Sequence, residues 1–289
     1  MKKLINHPER VVSEMVAGFV AAYPGKVKRV PGTNVVVRAD APVQGKVGII
    51  SGGGSGHEPA HGGYVGKGML DGAVAGEVFT SPTPDQVFEA IKAVDGGKGV
   101  LLVIKNYTGD VMNFEMAAEL AEAEGIAVEK VIVNDDAAVE NSTYTVGKRG
   151  IAGTVFVHKI AGALAEAGGS LEEVTAVAEK EVANLSSMGM ALTPCTVPAA
   201  GKPGFSIGDN EMEIGTGIHG EPGIERSDIK SADEVTEVLL NKVLAQLELE
   251  DNSQAAVMIN GLGATPLMEL YIVNNKVSSM LKERKISVR

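Results

Sequence analysis

Val47-Gly48-Ile49-Ile50-Ser51-Gly52-Gly53-Gly54-Ser55-Gly56-His57-Glu58-Pro59-Ala60-His61-Gly62-Gly63 is the stretch from which the fold is read. Its first four residues are short, apolar and bounded by a glycine cluster, which predicts a buried strand over 47–51 and a loop after it. Gly52, Gly53, Gly54 and Gly56 allow positive φ and a close approach of a small ligand to the main chain. His57 and Glu58 follow directly, with His61 four residues beyond His57. Parallel α/β folds build sites in this way, beyond the carboxyl ends of buried strands. The plainer reading of the same loop is a tight structural turn with a capping histidine.

Three familiar motifs fail here. A phosphate-cradling loop needs Gly-Lys-Ser/Thr after its glycines, and Gly56-His57-Glu58 stands there instead. A dinucleotide fingerprint needs a third glycine where His57 stands. A nucleophile elbow centred on Ser55 ends on His57 where it needs glycine. The loop is therefore poorly made for nucleotides or for serine hydrolysis.

Working outward, strand, loop and helix recur in order. Residues 8–22 carry a helical stripe of Val11, Val12, Met15, Val16, Phe19 and Val20. Residues 34–38 and 74–79 read as strands. Thr83-Pro84-Asp85-Gln86 has the capping-box pattern that opens a helix ending near Val94, before Gly96-Gly97. Val100-Leu101-Leu102-Val103-Ile104 is apolar throughout, as a central parallel strand is. Its exit loop, 105–110, leads to a helix with Phe114, Met116, Ala117, Leu120 and Ala121. Residues 128–133 repeat the scheme, and helices near 150–167 and 171–185 close the unit. The fold class is α/β: two α/β domains with mainly parallel or mixed sheets flanked by helices. The first is expected over 1–187 and the second over 188–289, where two prolines, Pro194 and Pro198, mark a change of character. In that second part, 211–223 is a strand running into a Gly/His/Glu/Pro turn. Ser231 caps a helix to about Gln246, 255–259 is a strand, 266–284 a helix, and 286–288 the start of a strand.

The chain has 289 residues, long enough for about two domains. A 44% hydrophobic content with 36 glycines and 4% aromatics suits an α/β enzyme with many strand–helix turns. A net charge of −11 argues against nucleic acid and against an anionic membrane as partner. Cys195 is the single cysteine, which excludes an internal disulfide and a cysteine zinc cluster, and it reads as a small buried hydrophobe. No metal site is expected. The longest apolar run, 100–104, is too short to span a bilayer, and there is no signal peptide, so a soluble cytoplasmic protein is expected.

Polar residues collect at strand exits: His57 and Glu58, Lys105 and Asp110, His219 and Glu221. They would converge if both domains faced one cleft. Each also has a plainer reading: Asp110 as a helix N-cap, Lys105 as a solvated cation, His219 bonding its own backbone. His7 and His158 read as structural or surface residues.

At this point several segments resemble the substrate-binding subunits of dihydroxyacetone kinases. They are 51–63, 76–85, 105–110, 195–198, 217–223 and 260–266, in order along essentially the whole chain. The resemblance implies that His219 captures the ketone through its Nε2 as a hemiaminal. Such capture separates short ketoses from polyols by reactivity rather than shape. It further implies that Gly54, Ser55, Gly56 and His57 line the substrate site and that Lys105 and Asp110 bind the hydroxyls. His57 and Asp110 are then the candidate proton acceptors, Asp110 by its charge and His57 as the group that titrates near neutrality. The ligand implied is dihydroxyacetone, or a four-carbon ketose such as erythrulose; a non-catalytic ketose sensor or co-regulator is the reading from another class.

In this family the phosphoryl donor sits on a separate helical part. No cofactor is expected on this chain, and ADP or ATP with Mg is expected on a partner. The implied partners are an ADP-binding L-type subunit and a phosphocarrier M-type subunit of the sugar phosphotransferase system. The chain alone is expected to be inactive as a kinase, and to form a homodimer. Relatives continue past 286–288, so the second domain's sheet is expected to be short at its C-terminus.

Overall fold

The computed structural model describes residues 2–140, 146–221 and 223–289. A six-stranded mixed sheet organises the first part of the chain. It contains β1 (Val27–Arg29), β2 (Val35–Arg38), β3 (Gly48–Ser55), β4 (Gly72–Val78), β5 (Val100–Lys105) and β6 (Val128–Val133), in the order β1-β2-β4-β3-β5-β6. β3 pairs in parallel with both β4 and β5, and β5 in parallel with β6. β1 and β2 complete the sheet as an antiparallel edge.

Alternation along the apolar strands explains the layers. Val100, Leu102 and Ile104 point to one face with Ile50 and Val74, where they meet α2 (Pro84–Val94) and α3 (Thr108–Ala123) through Val87, Ile91, Phe114 and Ala117. Leu101, Val103, Val47 and Ile49 point to the other, against Val157, Ala161, Val174 and Ala178 of α4 (Thr154–Glu166) and α5 (Leu171–Val182). A central strand buried on both faces is apolar along its length, and β5 is so from Val100 to Ile104, ending on the buried Lys105. The helix α1 (Val11–Ala22) covers the β1–β2 end through Val12 and Val16.

After residue 189 the sheets are small. β7 (Met190–Ala191), β8 (Glu211–Ile214) and β9 (Glu225–Asp228) form an antiparallel three-stranded sheet. β10 (Gln254–Ala255) and β11 (Ser287–Val288) form a parallel pair beside α6 (Ala232–Leu247) and α7 (Leu267–Glu283). Ser231 caps α6 with a full capping box, as its sequence predicts.

Several expectations are corrected. The loop expected after Ser51 is strand: β3 runs on through Gly52, Gly53 and Gly54 to Ser55. Those glycines serve packing, since a Cβ on Gly54 would lie 2.5 Å from the Thr80 nitrogen and one on Gly52 2.6 Å from the Val74 oxygen. Thr83 makes no side-chain cap, and the reciprocal half of the box is missing because the Gln86 side chain accepts from the Asn34 backbone amide at 2.9 Å. The strand expected over 255–259 pairs only at Gln254 and Ala255, where β11 offers two residues of ladder. Cys195 is exposed rather than buried, being carried on a proline-flanked loop. Edge strands β1 and β9 lack a strong apolar pattern and went unread.

Candidate functional site

Four parallel strands end at one edge of the large sheet, and their exits supply the site. β3 delivers Gly54 to Gly56 and then His57; β4 delivers Phe79 and Ser81; β5 delivers Lys105, and Tyr107 and Asp110 follow at the start of α3. The turn after β8 brings His219, Gly220 and Glu221 over this edge. Together Gly54, Phe79, Ser81, Tyr107, Asp110, His219, Gly220 and Glu221 line a cleft of ≈ 290 Å³. Crevices at the carboxyl ends of parallel strands are where open α/β sheets bind ligands. A more open depression on α7, lined by Leu267, Met268, Tyr271, Ile272 and Asn275, offers no histidine, carboxylate or lysine.

His219 stands in an aromatic frame. Its ring meets Tyr107 edge-on at 4.5 Å between centroids, His57 at 4.9 Å and Phe79 at 5.5 Å. Its Nδ1 lies 3.0 Å from Glu221 Oε1, and its backbone amide donates to Glu221 Oε2 at 2.8 Å. With a carboxylate on Nδ1, that nitrogen carries the proton and Nε2 keeps its lone pair. Burial alone would raise the Glu221 carboxyl, but the bonds and charge from His219 outweigh it and hold the group below its ordinary value. The histidine therefore bonds a carboxylate, where the plainer reading had it bonding its own backbone.

Lys105 and Asp110 approach each other across Gly53, a residue with no side chain to separate them. A Cβ there would stand 3.5 Å from Lys105 Nζ and 3.7 Å from Asp110 Oδ2. Both residues are buried, so Lys105 is no solvated cation. Burial pushes the lysine down against the pull of Asp110, Asp135 and Glu221. Burial likewise pushes Asp110 up, opposed by a hydrogen bond with Ser81 and by Lys105 and His219. Tyr107 holds the N-cap position of α3, and Asp110 lies in its first turn with Oδ1 unbonded, so Asp110 is not the cap.

His57 stacks on Phe79 at 5.0 Å and 18°, which also removes it from any capping role. Gly56, at φ 107, makes the bend that turns the chain there. Burial, Lys105 and His219 push His57 down to about 2, so the ring is neutral at all ordinary pH. That corrects the expectation that His57 titrates near neutrality. Glu58 does not join the cleft: its carboxylate accepts from the Gly56 amide at 3.1 Å and is exposed. The Ser55 hydroxyl is committed to the Gly76 carbonyl at 2.7 Å, and Ser55 is buried behind the cleft rather than lining it. His158 is a core residue bonded to His61 at 3.1 Å, and His7 caps a short turn at the surface. Pro222 of the His219 turn lies outside the described residues.

Charge at the opposite edge of the sheet is handled differently. There Asp71 accepts from Arg38 at 3.2 Å, from Lys46 at 2.5 Å and from the Ile49 amide at 2.9 Å. At the cleft, Asp110 Oδ1, His57 Nε2 and Tyr107 Oη are shielded from water and have no partner. Buried polar atoms are normally satisfied, so three such orphans around one cleft point to a polar ligand of small size. Sequence reasoning missed Phe79, Ser81 and Tyr107. Each sits beside a residue it did find, but stacking and side-chain hydrogen bonds leave no trace in spacing.

A family model described as the Dak1 domain matches residues 17–289. The PTS-dependent dihydroxyacetone kinase 1, dihydroxyacetone-binding subunit, of Listeria innocua is 56% identical over 288 residues, covering 100% of this chain and 87% of that protein. The PEP-dependent dihydroxyacetone kinase, dihydroxyacetone-binding subunit, of Escherichia coli is 46% identical over 312 residues, with the same shares covered. Among solved structures, the dihydroxyacetone kinase of C. freundii in complex with AMP-PNP and Mg2+ superposes with a TM-score of 0.90 at 41% identity, covering 98% of this chain and 52% of that one. The chain thus spans about half of that kinase. A dihydroxyacetone kinase operon co-activator superposes with a TM-score of 0.89 at 37% identity, covering 96% of this chain and 85% of that one.

Proposed function

The chain belongs to the Dak1 domain family, and from that premise we propose that it is the dihydroxyacetone-binding subunit of a PTS-dependent dihydroxyacetone kinase. The observation that carries the chemistry is the Glu221–His219 pair, which leaves Nε2 as the nucleophilic nitrogen of a histidine lining the cleft. Nε2 adds to the ketone carbonyl, and the π electrons move to oxygen. The Nδ1 proton leaves through Glu221 while the new alkoxide takes up a proton, giving a neutral hemiaminal with no net change in protons. Glycerol has no carbonyl and is not captured. Lys105 and Asp110 hold the hydroxyls, and Asp110 accepts the proton of the terminal hydroxyl as it attacks phosphorus. His57, neutral and stacked on Phe79, bonds the substrate and shapes the pocket.

The phosphoryl donor would be ATP with Mg on an L-type subunit, regenerated there from the ADP left after each transfer by an M-type phosphocarrier in the cytoplasm. This chain acts as a homodimer that presents the fixed hydroxyl to that donor. The PTS-dependent names of the relatives support this division of labour. Phosphoryl transfer depends largely on positioning, which a covalent tether supplies. The likeness to the operon co-activator favours a second reading, a ketose sensor. Reconstitution separates the two. The chain mixed with L- and M-type subunits, the general enzymes of the phosphotransferase system and phosphoenolpyruvate is expected to form dihydroxyacetone phosphate, and to form none when any component is omitted. Capture of the ketone without phosphorylation in the complete mixture would favour the sensor, and phosphorylation of erythrulose in preference would reassign the substrate.

A further inference from the structure

We infer that Arg149 is a positioning residue for His219, its guanidinium tying the exit of β6 to the turn that carries the imidazole. This assignment rests on the capture role proposed for His219. Arg149 is 2% exposed, among the largest fully buried side chains. Its Nε donates to Asp136 Oδ2 at 2.5 Å, and its Nη2 donates to the Gly215 carbonyl at 2.8 Å. Asp136 is itself fixed: its Oδ1 accepts from the Ala138 amide at 2.8 Å, and its own amide donates to the Arg149 carbonyl at 3.1 Å. The planar fork thus spans from the large sheet to the first residue after β8, with both ends held.

Gly217 adjoins both the guanidinium and the carboxylate that orients His219. A Cβ on Gly217 would stand 2.7 Å from Arg149 Nη1 and 2.1 Å from Glu221 Oε2. Gly217 therefore leaves the space that the guanidinium and the orienting carboxylate share. The turn from Gly215 to Gly220 holds three glycines, two of them at positive φ (77 and 84), and closes on itself through the Gly217 amide to the Glu221 carbonyl at 3.1 Å. The Arg149 bond to Gly215 is therefore what ties the closed turn to the large sheet. Ring contacts around His219 permit sliding, whereas directional hydrogen bonds from a planar group fix distance and angle. A displacement of about 1 Å at a reacting atom is enough to cost on the order of a hundredfold. Lysine keeps the charge but loses the fork, so it cannot hold Asp136 and Gly215 in one plane.

The test measures dihydroxyacetone binding and the fraction of ketone carbon bound to nitrogen at saturation, for the parent chain, Arg149→Met, Arg149→Lys and Gly217→Ala. A merely structural arginine would move the melting temperature and leave that fraction unchanged. The expected result is a loss of affinity of about tenfold or more in Arg149→Met and Gly217→Ala, with a reduced adduct fraction and a smaller loss in Arg149→Lys. Arg149→Lys carries the test should Arg149→Met fail to fold, and Gly217→Ala, whose Cβ would meet Glu221 Oε2 directly, is the reference for a displaced carboxylate. Folded variants that bind within about twofold of the parent, with the adduct fraction intact, would overturn the assignment and leave capture standing. A parent chain with no nitrogen-bonded carbon would overturn capture itself, and the assignment with it.

Discussion

Glu221 Oε1 stands 3.0 Å from His219 Nδ1, and in the proposed capture this contact sets which nitrogen reacts. Glu221→Gln keeps the shape but can present its amide to Nδ1, favouring the tautomer with the proton on Nε2. Binding of dihydroxyacetone is expected to fall by about 10- to 100-fold, read by titration calorimetry, while glycerol binding stays unchanged. The pH response follows from Asp110. Burial raises its carboxyl above the ordinary value, and a proton acceptor works only when ionised. Turnover of the reconstituted kinase should therefore fall as pH drops through a value above the usual carboxylate range. Because His57 is neutral down to about 2, it contributes no limb near neutrality. The pH–rate profile of His57→Asn should keep the parent's acid limb at lower overall rate. A limb that moved or vanished in that variant would place the titrating group at His57 instead.

At the scale of elements, the glycines of β3 show what a sequence discloses and what it hides. Val47 to Ile50 announce the strand because they are apolar and short. Gly52 to Gly54 look like loop because intrinsic preference disfavours glycine in a strand interior. The contacts that demand them come from Val74 and Thr80, more than twenty residues away. Gly54→Ala should destabilise the chain by about 1–3 kcal/mol in denaturant unfolding, since its Cβ meets backbone that cannot rotate aside. Caps give a sharper contrast. Ser231→Ala should cost about 1 kcal/mol, for Ser231 makes the full capping box. Thr83→Ala, at a position with the same sequence signature, should stay within about 0.5 kcal/mol because Thr83 makes no such bond. One signature, two outcomes: Gln86 in the second has a better partner at Asn34.

For the molecule as a whole, periodicity makes the large sheet and its helices legible, since β5 is apolar from Val100 to Ile104 and α2 buries one apolar face. In α3, by contrast, Phe114, Ala117 and Ala121 are buried while Met116 and Leu120 are left exposed. The site residues His57, Lys105, Asp110, His219 and Glu221 could be gathered from sequence because each sits at a strand exit. Their environments could not. Stacking on Phe79, burial of Lys105 and the clamp from Arg149 depend on residues distant in the chain. Edge strands β1 and β9 were missed for the related reason that they carry little apolar pattern, whereas the edge strand β6 has one and is legible. Ketone capture is the claim on which substrate choice, positioning and partner dependence all rest, and carbon NMR tests it directly. Dihydroxyacetone labelled at its carbonyl carbon is mixed with protein carrying ring-nitrogen-labelled histidine. The account predicts a tetrahedral carbon with one-bond coupling to nitrogen, absent in His219→Ala. Free ketone and its hydrate alone in the parent, or a coupled carbon that survives His219→Ala, would contradict it.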